Sequence, residues 1–249
     1  MEADFWLNRW DKGRTGWQEP AVNALLQRHF AALDLAAQAR VFVPLCGASP
    51  DIGWLMAQGC RVVGAELSAV AVARVFAMLG LTAEVTKLGP VTCHSAPGLD
   101  LFQGDIFDLT PQMLGRIDAV YDRAALFALP GRLRPAYVAH LMRLTDTAPQ
   151  LLNCLDYDAG PLTGPQIGPQ IGPQIGPQIG PQIGPQIGPQ IGPQIGPQPG
   201  PPFAIGPDEV ARLYGDHYQI TLLAREPSTL FAIGSPARSD LWHLARHDR

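Results

Sequence analysis

Glu66 ends the apolar run Val62-Val-Gly-Ala-Glu-Leu-Ser68, about twenty residues after a second apolar run, Val41-Phe-Val-Pro-Leu-Cys-Gly47, ends in glycine. A carboxylate so placed accepts hydrogen bonds from both hydroxyls of a ribose if the two runs are strands of one sheet and the glycine lets the backbone approach the ligand. A dinucleotide site asks for more. Its Gly-x-Gly-x-x-Gly fingerprint provides three positions without side chains, where this turn has one. The pattern therefore favours a nucleoside without phosphates, of which S-adenosylmethionine is the commonest on an open α/β sheet. It disfavours a nicotinamide-dependent oxidoreductase on the same ground.

Other residues suit the same ligand. Arg123 follows the apolar run Ile117 to Tyr121 and so lies at a carboxyl edge, where open α/β sheets bind ligands. A guanidinium holds a carboxylate or a thiolate and keeps its proton. Asp122 beside it either orients Arg123 or only neutralises it. Trp10 belongs to an aromatic stretch with Phe5, Trp6 and Trp17. Its ring either packs on a cationic sulfonium, worth roughly 1–2 kcal/mol when desolvated, or closes the pocket over it. Asp105 and Ile106 end a third run, Leu99-Asp-Leu-Phe-Gln-Gly-Asp105. An acid at that corner accepts from an exocyclic amine and can also cap a helix, while an isoleucine covers a ring face. Methyl transfer from a sulfonium mainly needs alignment and a desolvated thiolate, not a strong base. The chain fits that economy: it has no evident Ser-His-Asp or Cys-His arrangement and no metal-ligand cluster. His243 and His247 lack a third ligand and read as surface residues.

The elements that must position these groups alternate. Strands are expected over 40–45, 61–65, 99–105, 117–121, 151–157, 218–223 and around 241–244, with a possible short hairpin in 84–94. Helices are expected over 20–30, 51–58, 70–79, 133–144 and 207–214. Ser68 suits an N-cap, Gly59 and Gly80 suit C-caps, and Pro135 and Pro207 lie in first turns. Seven strands alternating with helices predict an α/β fold: a Rossmann-like, doubly wound, mostly parallel seven-stranded sheet with helices on both faces.

From Gly164 the tetrapeptide Gly-Pro-Gln-Ile recurs eight times to Ile195, followed by the degenerate copies Gly196-Pro-Gln-Pro199 and Gly200-Pro-Pro-Phe203. Period four excludes a collagen triple helix, and a proline every four residues excludes an α-helix or a central strand. Residues 164–199 are expected to be a flexible loop insertion in a single domain spanning 1–249, since lengthening a loop costs little closure entropy. A Pro-x-x-x-Pro spacing does not match the Pro-x-x-Pro docking register. The 249 residues carry a formal net charge of −4 without a basic stripe, so no nucleic-acid partner is expected. Apolar runs fall short of a membrane span, and the acidic N-terminus does not read as a secretory signal. Four scattered cysteines, Cys46, Cys60, Cys93 and Cys154, read as reduced thiols of a cytoplasmic protein. Nothing demands an oligomer, and a monomer is expected.

The motifs Asp4-Phe-Trp-x-x-Arg-Trp10, Gly16-Trp17, Val43-Pro-Leu-Cys-Gly47, Gly64-Ala-Glu-Leu-Ser68, Gly104-Asp-Ile-Phe-Asp108, Tyr121-Asp-Arg-Ala-Ala-Leu126 and Leu155-Asp-Tyr-Asp158 occur in this order, and Gly200-Pro-Pro-Phe203 follows. Together they resemble the bacterial thiopurine S-methyltransferase family, over about residues 3–158 and again over about 200–224. The resemblance implies a class I S-adenosylmethionine-dependent methyltransferase with an N-terminal lid helix, the lid region spanning 1–35. It implies S-methylation of a small aromatic or heterocyclic thiol by in-line transfer to the thiolate. Leu45, Glu66, Asp105 and Ile106 are the implied cofactor contacts, with Trp10 over the cofactor and Arg123 reaching cofactor or acceptor. Within the same chemistry the acceptor could instead be a selenium or tellurium oxyanion, a halide or thiocyanate. A non-catalytic protein using the repeat to bind a partner is the remaining alternative. The chain departs from the family at Ala48, where lysine is usual, at nearby Pro50, and after Leu223, where the family has a longer stretch. An altered first turn and acceptor side are expected.

Overall fold

A computed structural model describes residues 3–157, 201–228 and 236–247. Nine strands form one mixed sheet: β1 (Arg40–Val43), β2 (Arg61–Glu66), β3 (Glu84–Leu88), β4 (Val91–Ala96), β5 (Leu99–Gln103), β6 (Ala119–Arg123), β7 (Gln150–Tyr157), β8 (Tyr218–Ser228) and β9 (Ala237–Arg246). Their order is β3-β4-β5-β2-β1-β6-β7-β9-β8. The five central strands are parallel, and the two antiparallel pairs at each edge extend them. The expected count of seven is thus corrected to nine, because 84–96 forms a full hairpin. β3 is polar and exposed along Glu84, Thr86 and Lys87, so it has no apolar alternation by which a strand is usually read.

Helices cover both faces: α1 (Ala3–Asp11), α2 (Ala24–His29), α3 (Asp51–Ala57), α4 (Ala69–Leu79), α5 (Pro111–Leu114), α6 (Ala125–Ala128), α7 (Arg134–Thr145) and α8 (Pro207–Tyr214). Local chemistry sets their ends. The Ser68 hydroxyl accepts from the Ala71 amide to start α4, and Gly80 at φ +64° stops it. Pro207 opens α8, and its missing amide proton costs no helical bond there. The sheet divides the interior into two apolar clusters. One holds Phe42, Val63, Tyr137 and Leu152; the other holds Val41, Leu55, Val62 and Tyr121.

The chain runs from β1 to β2 and β5 on one side, then returns to place β6 and β7 on the other. Ligands sit at such a reversal, outside the carboxyl ends of the strands. Glu66 ends β2 and Arg123 ends β6, and those strands flank β1. The expected insertion, 164–199, lies outside the described residues. Among the described residues, no helix is long and apolar enough to cross a membrane.

Candidate active site

After β1 the backbone turns sharply. Leu45 stands at φ +45° and Gly47 at φ +55°. For leucine the left-handed conformation costs roughly 1–2 kcal/mol, which the surrounding bonds must offset. The Cys46 amide bonds the Ala65 carbonyl at 2.9 Å, tying the turn to β2. Gly47 donates its amide to Glu66 Oε2 at 2.9 Å, and Ser68 donates to Oε1 at 2.7 Å. Any side chain at Gly47 would press on Gln18 Nε2, 2.7 Å from an ideal Cβ position. Burial pushes the Glu66 carboxyl upward, against the amides of Ser68, Gly47 and Leu67. Both oxygens are acceptors held in place by these amides, and a carboxylate so fixed suits a diol.

The Leu45–Gly47 turn and Glu66 line a cavity of about 380 Å³, within the roughly 300–1,000 Å³ typical of small-molecule sites. Trp10, Asp105, Ile106 and Arg123 line it as well, so all six residues singled out from the sequence meet in one place. Trp10 is buried, set edge-on to Trp17 with ring centroids 6.0 Å apart, and Arg74 packs 5.6 Å from its ring. Asp105 is exposed and accepts from the Phe107 amide at 3.0 Å, capping a single 3₁₀ turn over Ile106–Asp108. Ile106 is buried beneath it. Its carbonyl lies 2.8 Å from His140 Nε2, while Arg143 approaches His140 Nδ1 at 2.6 Å. Since Arg143 can only donate, Nδ1 accepts and Nε2 carries the proton given to Ile106.

Arg123 closes the other end. It is paired with Glu19 and lies 3.9 Å from Asp51 Oδ2. Asp51 is fully buried: Oδ1 accepts from the Asn23 amide at 2.8 Å and Oδ2 from the Tyr121 hydroxyl at 3.0 Å. Asp51, Tyr121 and Glu19 are groups that sequence reading missed. One signal was available. Tyr121 and Arg123 are two apart on β6 and share a face, whereas Asp122 points the opposite way.

Asp122 therefore neither orients nor neutralises Arg123. Its carboxylate accepts from the Tyr137 hydroxyl at 2.6 Å on the far face of the sheet. Burial raises it from an ordinary 3.8 to about 6, against bonds from Tyr137, Leu126 and Ala125. A raised acid favours the folded state where it is protonated, so its contribution grows as pH falls through about 6. Asp122→Asn removes that titration. Relative to wild type, the variant is expected to lose about 1 kcal/mol of stability between pH 7 and pH 5, measured by urea unfolding at both. A pH-independent difference would show that the Asp122 carboxyl is not raised above its ordinary range when folded.

The altered first turn still forms. The Ala48 amide donates to Gln18 Oε1 at 3.2 Å, and Pro50 directly precedes α3. On the acceptor side, β8 continues past Leu223 with an irregularity between Leu222 and Ala224, and the residues that follow Ser228 up to 235 lie outside the described set. Pro201 and Pro202 line the cavity; the Pro202 carbonyl accepts from Tyr157 and the Phe203 amide bonds the Phe127 carbonyl at 2.8 Å. His243 is half-buried on β9 and His247 exposed beyond it. Among the described residues, no group of three or more His, Cys, Asp or Glu is placed to hold a metal.

The family model for thiopurine S-methyltransferase matches residues 1–170. A thiopurine S-methyltransferase of Xanthobacter autotrophicus is 46% identical over 232 residues, covering 91% of this chain and 90% of the relative. One from Gluconobacter oxydans is 56% identical over 156 residues, covering 63% of this chain and 71% of the relative. The magnesium protoporphyrin IX methyltransferase of Synechocystis PCC 6803, solved with bound S-adenosylhomocysteine, shares the fold at a TM-score of 0.58 and 15% identity, with 98% of this chain and 99% of that one covered. From the matched motifs, the sheet and its cavity, and relatives that span nearly its full length, the chain belongs to the thiopurine S-methyltransferase family of S-adenosylmethionine-dependent methyltransferases.

Proposed function

We propose that the protein methylates the sulfur of small aromatic or heterocyclic thiols, with S-adenosylmethionine as donor and the acceptor bound as its thiolate. One observation carries this reading: the buried Glu66 carboxylate and the Arg123 guanidinium face one cavity from strands on either side of β1. Glu66 would hold the ribose, Leu45 and Gly47 the chain of the cofactor, and Asp105 and Ile106 the adenine. When bound, the cofactor supplies a methyl group already activated on a sulfonium. The protein's part is alignment, exclusion of water and charge placement. Arg123 keeps the acceptor anionic by holding its negative charge. Trp10 offers an aromatic face to the sulfonium. Burial, and next the Glu66 charge, push the Cys46 thiol well up, so it stays protonated beside the donor and does not compete as acceptor.

Residues 1–35 act as a lid in this account. Trp6 and Trp10 of α1 line the cavity, as do Gln18 and Asp51; Gln18 accepts from the Ala48 amide, and the Asn23 amide donates to the Asp51 carboxylate. We infer that residues 1–249 form one domain, with 164–199 an insertion that catalysis does not need. We infer a cytoplasmic monomer with neither nucleic-acid nor membrane partners. Four buried free thiols support a reducing setting.

The test is an acceptor panel of aromatic thiols, selenite and thiocyanate, run on the wild type and on Arg123→Gln. Thiols are expected to be the best acceptors, with kcat/KM falling about a hundredfold in the variant, the range for losing a buried charged hydrogen bond. Transfer to selenite or thiocyanate but to no thiol would reassign the acceptor.

A further inference from the structure

Arg123 does not stand alone at the acceptor end, and its surroundings carry a prediction about specificity. Two carboxylates face its guanidinium, Glu19 in direct contact and Asp51 at 3.9 Å, so the three groups together are net negative. An acceptor whose charge is to rest on Arg123 must take the place of one of them. Asp51 cannot yield. It is 0% exposed and bonded through both oxygens, to the Asn23 amide and the Tyr121 hydroxyl. Glu19 can. Its side chain is 30% exposed, and it sits on the irregular segment between α1 and α2. Arg9 also lines the cavity, but its guanidinium is stacked 4.5 Å from the Phe5 ring and 5.7 Å from the Trp17 ring.

We propose that Glu19 is a gate for acceptor charge: it occupies Arg123 and is exchanged for the anionic group of the acceptor. The inference rests on the proposed placement of the acceptor at Arg123. It makes Glu19 a specificity-determining residue, since a carboxylate competing for the same guanidinium selects against weakly bound anions and leaves neutral ligands untouched. It also couples acceptor binding to the N-terminal segment, because releasing Glu19 frees one of that segment's ties to the sheet.

The experiment measures calorimetric binding of 2-mercaptobenzoate and its neutral amide, 2-mercaptobenzamide, to the wild type, Glu19→Gln and Glu19→Asp, both at a pH where the thiol groups are protonated and the carboxylate is ionised. Glu19→Gln is expected to tighten the benzoate about tenfold relative to the amide. Glu19→Asp, which keeps the charge, is expected to stay near the wild type. An unchanged benzoate-to-amide ratio in Glu19→Gln, or a looser benzoate, would overturn the gate, as would failure of either probe to bind any of the three proteins. The gate and the thiol reading fail separately. Wild-type protein that binds both probes but methylates neither would sink thiol methyl transfer and leave the charge selectivity standing. Methyl transfer with charge-independent affinities would do the reverse.

Discussion

Glu66→Ala is expected to raise the Kd for S-adenosylhomocysteine on the order of a hundredfold, about 3 kcal/mol, measured by calorimetry at pH 7.5. The carboxylate is the point where the two halves of the site are joined. One oxygen holds the Gly47 amide of the β1 turn and the other the Ser68 amide that starts α4. Truncation removes the acceptors proposed for the ribose and leaves two buried amides without a partner. Leu45 at φ +45° then loses part of what keeps its turn in place. Glu66→Gln should fare little better, because its amide nitrogen must face one of two N–H donors. Folding should suffer less than binding, since burial already penalises the charged form of Glu66. A Glu66→Ala protein that bound the cofactor as tightly as the wild type would remove this residue from the site.

Asp51→Ala should be the most damaging change to stability among the cavity residues. It strands the Tyr121 hydroxyl, the Asn23 amide and one side of the Arg123 guanidinium in a buried setting. Leaving such donors unpaired costs about 1–3 kcal/mol each before relaxation, so a net loss of about 3 kcal/mol is expected. In a chain of this size that corresponds to a fall in Tm of roughly 6–12 °C. Asp51→Asn keeps one accepting oxygen and should lose about half as much. Because Asn23 also caps α2 through its side chain, bonding the Leu25 and Leu26 amides at 2.9 and 3.1 Å, the N-terminal segment should loosen first. Hydrogen exchange across residues 3–35 would locate the loss. Equal Tm values for the wild type and Asp51→Ala would mean that Asp51 is no more than an ordinary helix-start acid.

Residues at strand ends were legible because the chain itself announces them. Glu66 follows an apolar run and precedes a serine cap, and Arg123 follows another run, so local pattern places both at the carboxyl edge. The pairing of Asp51 with Tyr121 spans 70 positions and has no local signature; Asp51 reads only as the first acid of a helix. Asp122 was misread through neighbourhood in sequence, since adjacent residues on a strand face opposite sides of a sheet. The β3–β4 hairpin was half legible. Its Gly89 turn at φ +65° is a clear break, but exposed β3 lacks the apolar alternation that would mark it. Glu19 lies on an irregular segment, where pairing is decided wholly by what the loop lands on.

The most direct test of methyl transfer to sulfur follows a deuterated methyl group from labelled S-adenosylmethionine into 6-mercaptopurine, with the product read by mass spectrometry and its site of attachment by NMR. The expected product is the S-methyl thioether, formed one for one with S-adenosylhomocysteine. Label on a ring nitrogen, or S-adenosylmethionine bound but no label transferred to this or any other aromatic thiol, would contradict it.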